Sequence, residues 1–241
     1  MGKAKKSVLK LLPPDWREAM FDRASQLDWI QSRPKLLPAL SVLWLTGCRP
    51  AELESGVKIA CLRDRLVIEI TGAKCSNDKQ NERGQPIRRY VFKTPITEKP
   101  HPALAVLLSM AAKDVALNGI GHATVSHDAD YLYNSIVSLG KATFSRLRTR
   151  ISPYCFRHQA ASDLKADPAL SLQEAAQFMG HLSDYSIGKY GRAIHGKRGG
   201  ERVKPVMVKT SRPVKHSPKV DKLARFKIAS ESRQQKLRQC S

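Results

Sequence analysis

The sequence predicts a mainly helical fold around a small three-stranded antiparallel sheet, an α+β arrangement. Three observations carry that prediction. Residues 57–61 and 66–70 alternate apolar with polar or small side chains at the period of two that a half-buried strand needs, and 87–93 give a third strand. They lie between longer segments whose apolar residues recur every three or four positions, the spacing that turns one helix face inward. Finally, a hydrophobic content of 41% over 241 residues is enough to bury a core, which argues against wholesale disorder.

Taken in order, residues 15–30 read as a helix with Trp16, Ala19, Met20 and Leu27 on or near one face. Residues 35–46 (KLLPALSVLWLT) are apolar enough for a buried helix, which Thr46-Gly47 ends. Pro50 then opens a new helix with Glu52 in its first turn. Val57, Ile59 and Cys61 alternate in the first strand and Leu66, Ile68 and Ile70 in the second, with Arg63-Asp64 turning between them. A polar loop over 74–86 leads to the third strand. Helical patterns resume at about 101–118 and 130–148. Ser152-Pro153 caps a helix running to about residue 165. Ser171 to Glu174 form a capping box, Gly180 stops that helix, and Ser183 caps a short helix carrying Tyr190.

The chain carries 42 Lys+Arg against 21 Asp+Glu, a net charge of +21. A charge this large repels itself unless a polyanion is near, so nucleic acid is the leading partner and an anionic membrane surface the second. The charge is uneven. Residues 1–10 hold +4, residues 192–241 hold +12, and the long middle only +5. This divides the chain into a basic N-terminal arm (1–12), a globular domain (13–195) and a basic, largely flexible C-terminal tail (196–241). The tail reads either as a solvated polycation or as a specific docking element. No apolar run reaches the roughly 20 residues that span a bilayer, and the N-terminus lacks a secretory pattern. Five widely spaced cysteines without a CxxC argue against a disulfide framework or a zinc site. The expected location is the cytosol, with no membrane, metal or cofactor involved.

Four fragments bear chemistry: Thr46-Gly47-Cys48-Arg49-Pro50-Ala51-Glu52-Leu53; Gly72-Ala73-Lys74; Ser152-Pro153-Tyr154-Cys155-Phe156-Arg157-His158; and Gly180-His181 with Tyr190 nine residues on. Arg49 sits at a helix start, where free N–H groups favour an anion, and Glu52 is placed to orient its guanidinium. Tyr154 and Arg157, three apart in the first turn of a capped helix, share a face near its positive end. His181 follows a helix stop. Each also has a plainer reading: a surface arginine, a packed aromatic beside an exposed arginine, a capping or core histidine. Tyr185 competes with Tyr190, and His158 reads as a buried structural residue. His101, His122, His127, His195 and His216 fit no metal spacing.

In this order and on these element types, the fragments resemble the catalytic domain of the tyrosine recombinase (phage integrase) family over about residues 12–195. The resemblance implies a site-specific DNA recombinase or integrase of the kind carried by mobile elements, working on double-stranded DNA without metal or ATP through a 3′-phosphotyrosine intermediate. It implies that Arg49 and Arg157 clamp the transition state, Lys74 protonates the leaving oxygen, His181 and Tyr154 assist, and Tyr190 is the nucleophile. Lys79, Arg83, Arg192, Lys197 and Arg198 are the expected DNA-backbone contacts. Where the family most often has His, this chain has Tyr154, a hydrogen-bond donor rather than a base at neutral pH. The family usually carries a helical DNA-binding domain ahead of the catalytic one, and about 35 residues precede the helix leading to Arg49, too few for one. A partner protein or the basic ends would then supply that half of the clamp. The family also implies a tetramer on DNA and a bacterial cytosol or nucleoid. Two other readings stay open: a noncatalytic or remnant DNA-binding protein that kept the fold, and an enzyme like the type IB topoisomerases.

Overall fold

The computed structural model describes residues 5–76, 82–94, 99–112, 119–196 and 203–221. Alternation builds its sheet. Val57, Ile59 and Cys61 of β1 (Val57–Leu62), Leu66, Ile68 and Ile70 of β2 (Arg65–Thr71), and Arg88, Tyr90 and Phe92 of β3 (Ile87–Lys93) are all buried. β1 and β2 pair antiparallel across the Arg63-Asp64 turn, and β2 pairs β3 with Thr71 opposite Ile87.

The sheet has five antiparallel strands rather than the expected three, in the order β4-β1-β2-β3-β5. β4 (Gly121–Val125) adds to β1, with Val125 opposite Val57. Five residues including Gly, His and Ala give too short an alternation to read from sequence. β5 (Met207–Thr210) adds to β3 from within the stretch expected to be flexible. Residues 203–221 therefore join the same body as the preceding domain. Gln85 and Arg212 fasten them reciprocally, Nε2 donating to the Arg212 carbonyl at 2.8 Å and the Arg212 N–H to Oε1 at 2.9 Å.

Eight α-helices are formed by described residues: α1 (Trp16–Ala24), α2 (Leu27–Ser32), α3 (Leu36–Thr46), α4 (Pro50–Glu54), α5 (Pro102–Ala111), α6 (Ala129–Thr143), α7 (Pro153–Ala166) and α8 (Leu172–Phe178). The helix expected over 15–30 breaks in two at Gln26, whose extended backbone ends the run. The helix expected over 130–148 stops at Thr143, where Phe144 leaves helical geometry. α5 ends at Ala111, and the rest of its expected length falls largely outside the described residues.

α7 is the central strut. Its Phe156 meets Trp16 of α1 edge-on at 4.6 Å, and the Trp16 indole N–H donates to Gln159 at 3.3 Å. The buried Arg17–Asp163 pair, 2.9 Å apart, closes the same interface. α3 packs beside α7, its Leu36, Leu40 and Leu43 fully buried, each worth roughly 1.5–3 kcal/mol of burial. This packing holds the ends of α3, α7 and α8 together at one end of the sheet. No helix among the described residues is long and apolar enough to cross a membrane.

Candidate active site

The site forms where three helix termini meet. α3 ends at Gly47, and the Gly47 carbonyl accepts from Arg157 Nη1 at 2.8 Å. Two residues on, Arg49 stands before α4 with Pro50 at the first helical position. Its backbone N–H donates to Glu52 Oε2 at 2.8 Å and its Nη1 to Glu52 Oε1 at 2.7 Å. The orienting role read for Glu52 is thus present as geometry.

Glu52 also serves a residue that the sequence reading missed. Arg88 of β3 is buried and donates to both Glu52 oxygens, at 2.7 and 3.2 Å, and to the Tyr90 hydroxyl at 3.1 Å. A signal for it existed: Arg88 occupies the inward phase shared by Tyr90 and Phe92. An arginine there needs a buried anion.

The turn after α8 is held from below by the same groups. The Tyr90 hydroxyl donates to the Phe178 carbonyl, Arg157 Nη2 to the Met179 carbonyl at 2.8 Å, and Gln85 Nε2 to the His181 carbonyl at 3.3 Å. Gly180 has φ +70°, and a Cβ there would lie 2.0 Å from an Arg88 nitrogen. Only glycine satisfies both that backbone and that approach. The turn delivers His181 with Nε2 3.2 Å from Arg157 Nη2. Arginine has no acceptor, so Arg157 donates and the proton of the neutral ring sits on Nδ1. That Nδ1 is buried without a hydrogen-bond partner among the described residues.

Tyr190 lies just past the 3₁₀ turn Asp184–Lys189, in extended backbone rather than within the expected short helix. Its ring stacks on His181 at 5.1 Å and 21°, tilts against the buried His158 at 5.5 Å, and lies 4.7 Å from the Arg157 guanidinium carbon. The next residue is Gly191, where a Cβ would meet Ser162 Oγ at 2.0 Å and the His158 carbonyl at 2.4 Å. Glycine is what lets the chain close onto α7 and press Tyr190 into place. Tyr185 instead is exposed, with Lys219 5.5 Å from its ring.

The electrostatics follow from this packing. Arg49, Arg88 and Arg157 face the single carboxylate of Glu52, so two positive charges are uncompensated among the described residues. Burial would raise the Glu52 carboxyl, but Arg88 and Arg49 outweigh it and hold it at about 2. Burial and the charges of Arg157 and Arg49 push His181 down to about 2, so it is neutral at physiological pH. Burial opposes ionisation of Tyr190, yet Arg157 and Arg49 outweigh it and lower its pKa. A phenol beside a buried excess of cations has the chemistry a nucleophile needs, and the same cations can receive an anion.

Four of the six expected catalytic residues, Arg49, Arg157, His181 and Tyr190, therefore converge. Tyr154 is half-buried in the first turn of α7. Lys74 is exposed just beyond β2, in the connection where Ser76 bridges Arg83. Among the expected DNA contacts, Arg83 and Arg192 are exposed, while Lys79, Lys197 and Arg198 lie outside the described residues.

No protein-family model and no curated protein matches this chain. Among solved structures it is similar to a crystal structure of a XerA recombinase, with 18% identity and a TM-score of 0.44, over 74% of this chain and 58% of that one. The chain thus spans less than two thirds of that protein's length. At such identity and score, function has to be argued from the site itself.

Proposed function

We propose that the chain is a DNA strand-breaking and rejoining enzyme of the tyrosine recombinase type. The observation that carries this reading is the buried cation excess around Tyr190: among the described residues Arg157 bonds the Gly47 and Met179 carbonyls, His181 and the Tyr190 hydroxyl but no carboxylate, which leaves its charge for a ligand. A bridging phosphate suits it, because a guanidinium fork binds two phosphate oxygens at once and keeps its charge.

In the proposed step Tyr190 Oη attacks the scissile phosphorus and its proton passes to solvent. The bond from phosphorus to the 5′ oxygen breaks, its electron pair stays on that oxygen, and Lys74 supplies the proton. The products are a 3′-phosphotyrosine and a free 5′-hydroxyl. Attack by a 5′-hydroxyl of a second strand reverses the chemistry, and the conserved bond energy means no ATP is consumed. Arg49 and Arg157 stabilise the charge that develops on the phosphoryl oxygens. Neutral His181 acts as a hydrogen-bond donor through Nδ1 rather than as a proton shuttle, and Tyr154 supplies a second hydroxyl donor. Strand exchange on duplex DNA by a tetramer, with the second half of the DNA clamp coming from the basic ends or a partner protein, completes the proposal.

Nicked suicide DNA tests it: a covalent adduct surviving SDS is expected, and Tyr190→Phe abolishes it. DNA binding without any adduct on site-bearing DNA would leave the noncatalytic reading. Relaxation of supercoiled DNA lacking any specific site would favour the topoisomerase-like one.

A further inference from the structure

The segment between α6 and α7 contains a feature that the site does not use. From residue 131 to residue 162 the sequence has no Asp or Glu, but it has Lys141, Arg146, Arg148, Arg150 and Arg157. In the loop before α7, side chains alternate. Ile151 is buried, Leu147 is partly buried against the core, and the hydroxyl of Thr149 is buried, while Arg146, Arg148 and Arg150 between them are exposed. None of the three has an ion-pair partner among the described residues. Three like charges held in a row by the buried side chains between them repel each other, and no carboxylate among the described residues pairs with them.

The row has a direction. At its C-terminal end, Ile151 and Ser152 lead straight into α7, whose first turn carries Tyr154 and whose next turn places Arg157 beside Tyr190. At its other end, Arg146 lines a surface cavity of ≈ 390 Å³ together with Leu11 and Pro13, next to the exposed Lys10 of the basic N-terminal arm.

We infer that Arg146, Arg148 and Arg150 form a ridge that tracks the sugar–phosphate backbone of duplex DNA between the N-terminal arm and the Tyr190 site. This rests on the DNA strand-transfer reading and specifies which surface carries the strand toward the clamp. The ridge meets phosphate, not base edges, so it contributes affinity and register without sequence preference.

The test is the salt dependence of binding of the full chain to a random-sequence duplex and to a second duplex of different sequence. Replacing Arg146, Arg148 and Arg150 by Gln is expected to lower the slope of log K against log salt by about 2.7, roughly 0.9 per phosphate contact. Preference between the two duplexes and the melting temperature stay unchanged, because the side chains are exposed. The control removes equal charge at the far end of the sheet, Arg63, Arg65 and Lys93 to Gln. Those exposed residues flank the β1–β2 turn, about 20 Å from the site end at roughly 3.3 Å per residue. A ridge variant whose slope falls no more than the control's, or whose duplex preference changes, overturns the proposal. Absence of salt-dependent binding by the unaltered chain instead removes the DNA reading beneath it.

Discussion

Two groups of cations in this molecule are built in opposite ways. Arg49, Arg88 and Arg157 are buried, and each guanidinium is fixed by carboxylate or carbonyl acceptors within 3.2 Å. Lys74 and Arg83, on the connection between β2 and β3, are exposed. The first group is arranged before any ligand arrives, at the cost of desolvating three charges around one carboxylate. The second stays solvated, so its charges cost the fold little desolvation. Burial thus separates cations fixed by the fold from cations left at the surface, and the proposed function gives the first the phosphate to hold and the second the strand around it.

The sharpest way to break this contrast is Glu52→Gln. It leaves Arg49 and Arg88 buried without their anion, and removing one partner of a buried pair costs about 3–5 kcal/mol. Chemical denaturation is expected to show a loss of that size. Arg88→Met combined with Glu52→Gln is expected to cost less than the sum of the two single changes, since the partners are coupled. A Glu52→Gln variant as stable as the parent would mean that the buried cations are not held by this carboxylate.

Lys74→Ala is expected to do the reverse. Removing the proposed general acid is expected to slow cleavage about 10²-fold or more, while the melting temperature stays put because the side chain is exposed. A substrate with sulfur in place of the leaving 5′ oxygen needs no proton and is expected to restore the rate. Equal slowing on both substrates would remove Lys74 from the acid role.

His181 gives a pH-dependent test of the buried group. Its folded pKa is about 2 against an ordinary value of 6.5. Below 6.5 the unfolded chain binds a proton that the folded chain refuses, so stability is lost as pH falls. Between pH 6.5 and 4.5 the stability of the parent should fall more steeply than that of His181→Asn, the difference approaching about 1.4 kcal/mol per pH unit. Glu52, held at about 2 against an ordinary 4.5, starts to cost stability only as pH falls toward 4.5, and it is common to both proteins, so it cancels in the difference. Parallel curves would show that His181 titrates normally and is free to carry a proton.

Legibility in sequence cuts across this division and follows local signatures instead. Arg49, Arg157, His181 and Tyr190 were readable because each lies at a helix end or turn with its own local signature: Pro50, Ser152-Pro153, Gly180. Arg88 was not, because a strand of seven residues reading IRRYVFK shows an arginine in the inward phase without showing the anion it meets 36 residues away. β1 and β2 were readable from their alternation, and β3 as a third strand after the polar loop that follows them. β4 and β5 were not, because an edge strand of four or five residues is defined by the partner it pairs with more than by its own sequence.

Arg83→Gln is the smallest change and asks whether the exposed group has any structural share. The side chain is exposed, although the backbone at this position is fixed by the bridge to Ser76. Substitution keeps that backbone bond and removes one charge, so stability should stay within about 0.5 kcal/mol of the parent. Binding to duplex DNA should lose about 0.9 unit of salt slope if the charge meets one phosphate. A stability loss well above that bound would place Arg83 with the buried group, as a cation the fold itself requires. An unchanged slope with unchanged stability would leave it a solvated charge and remove Arg83 from the proposed DNA contacts.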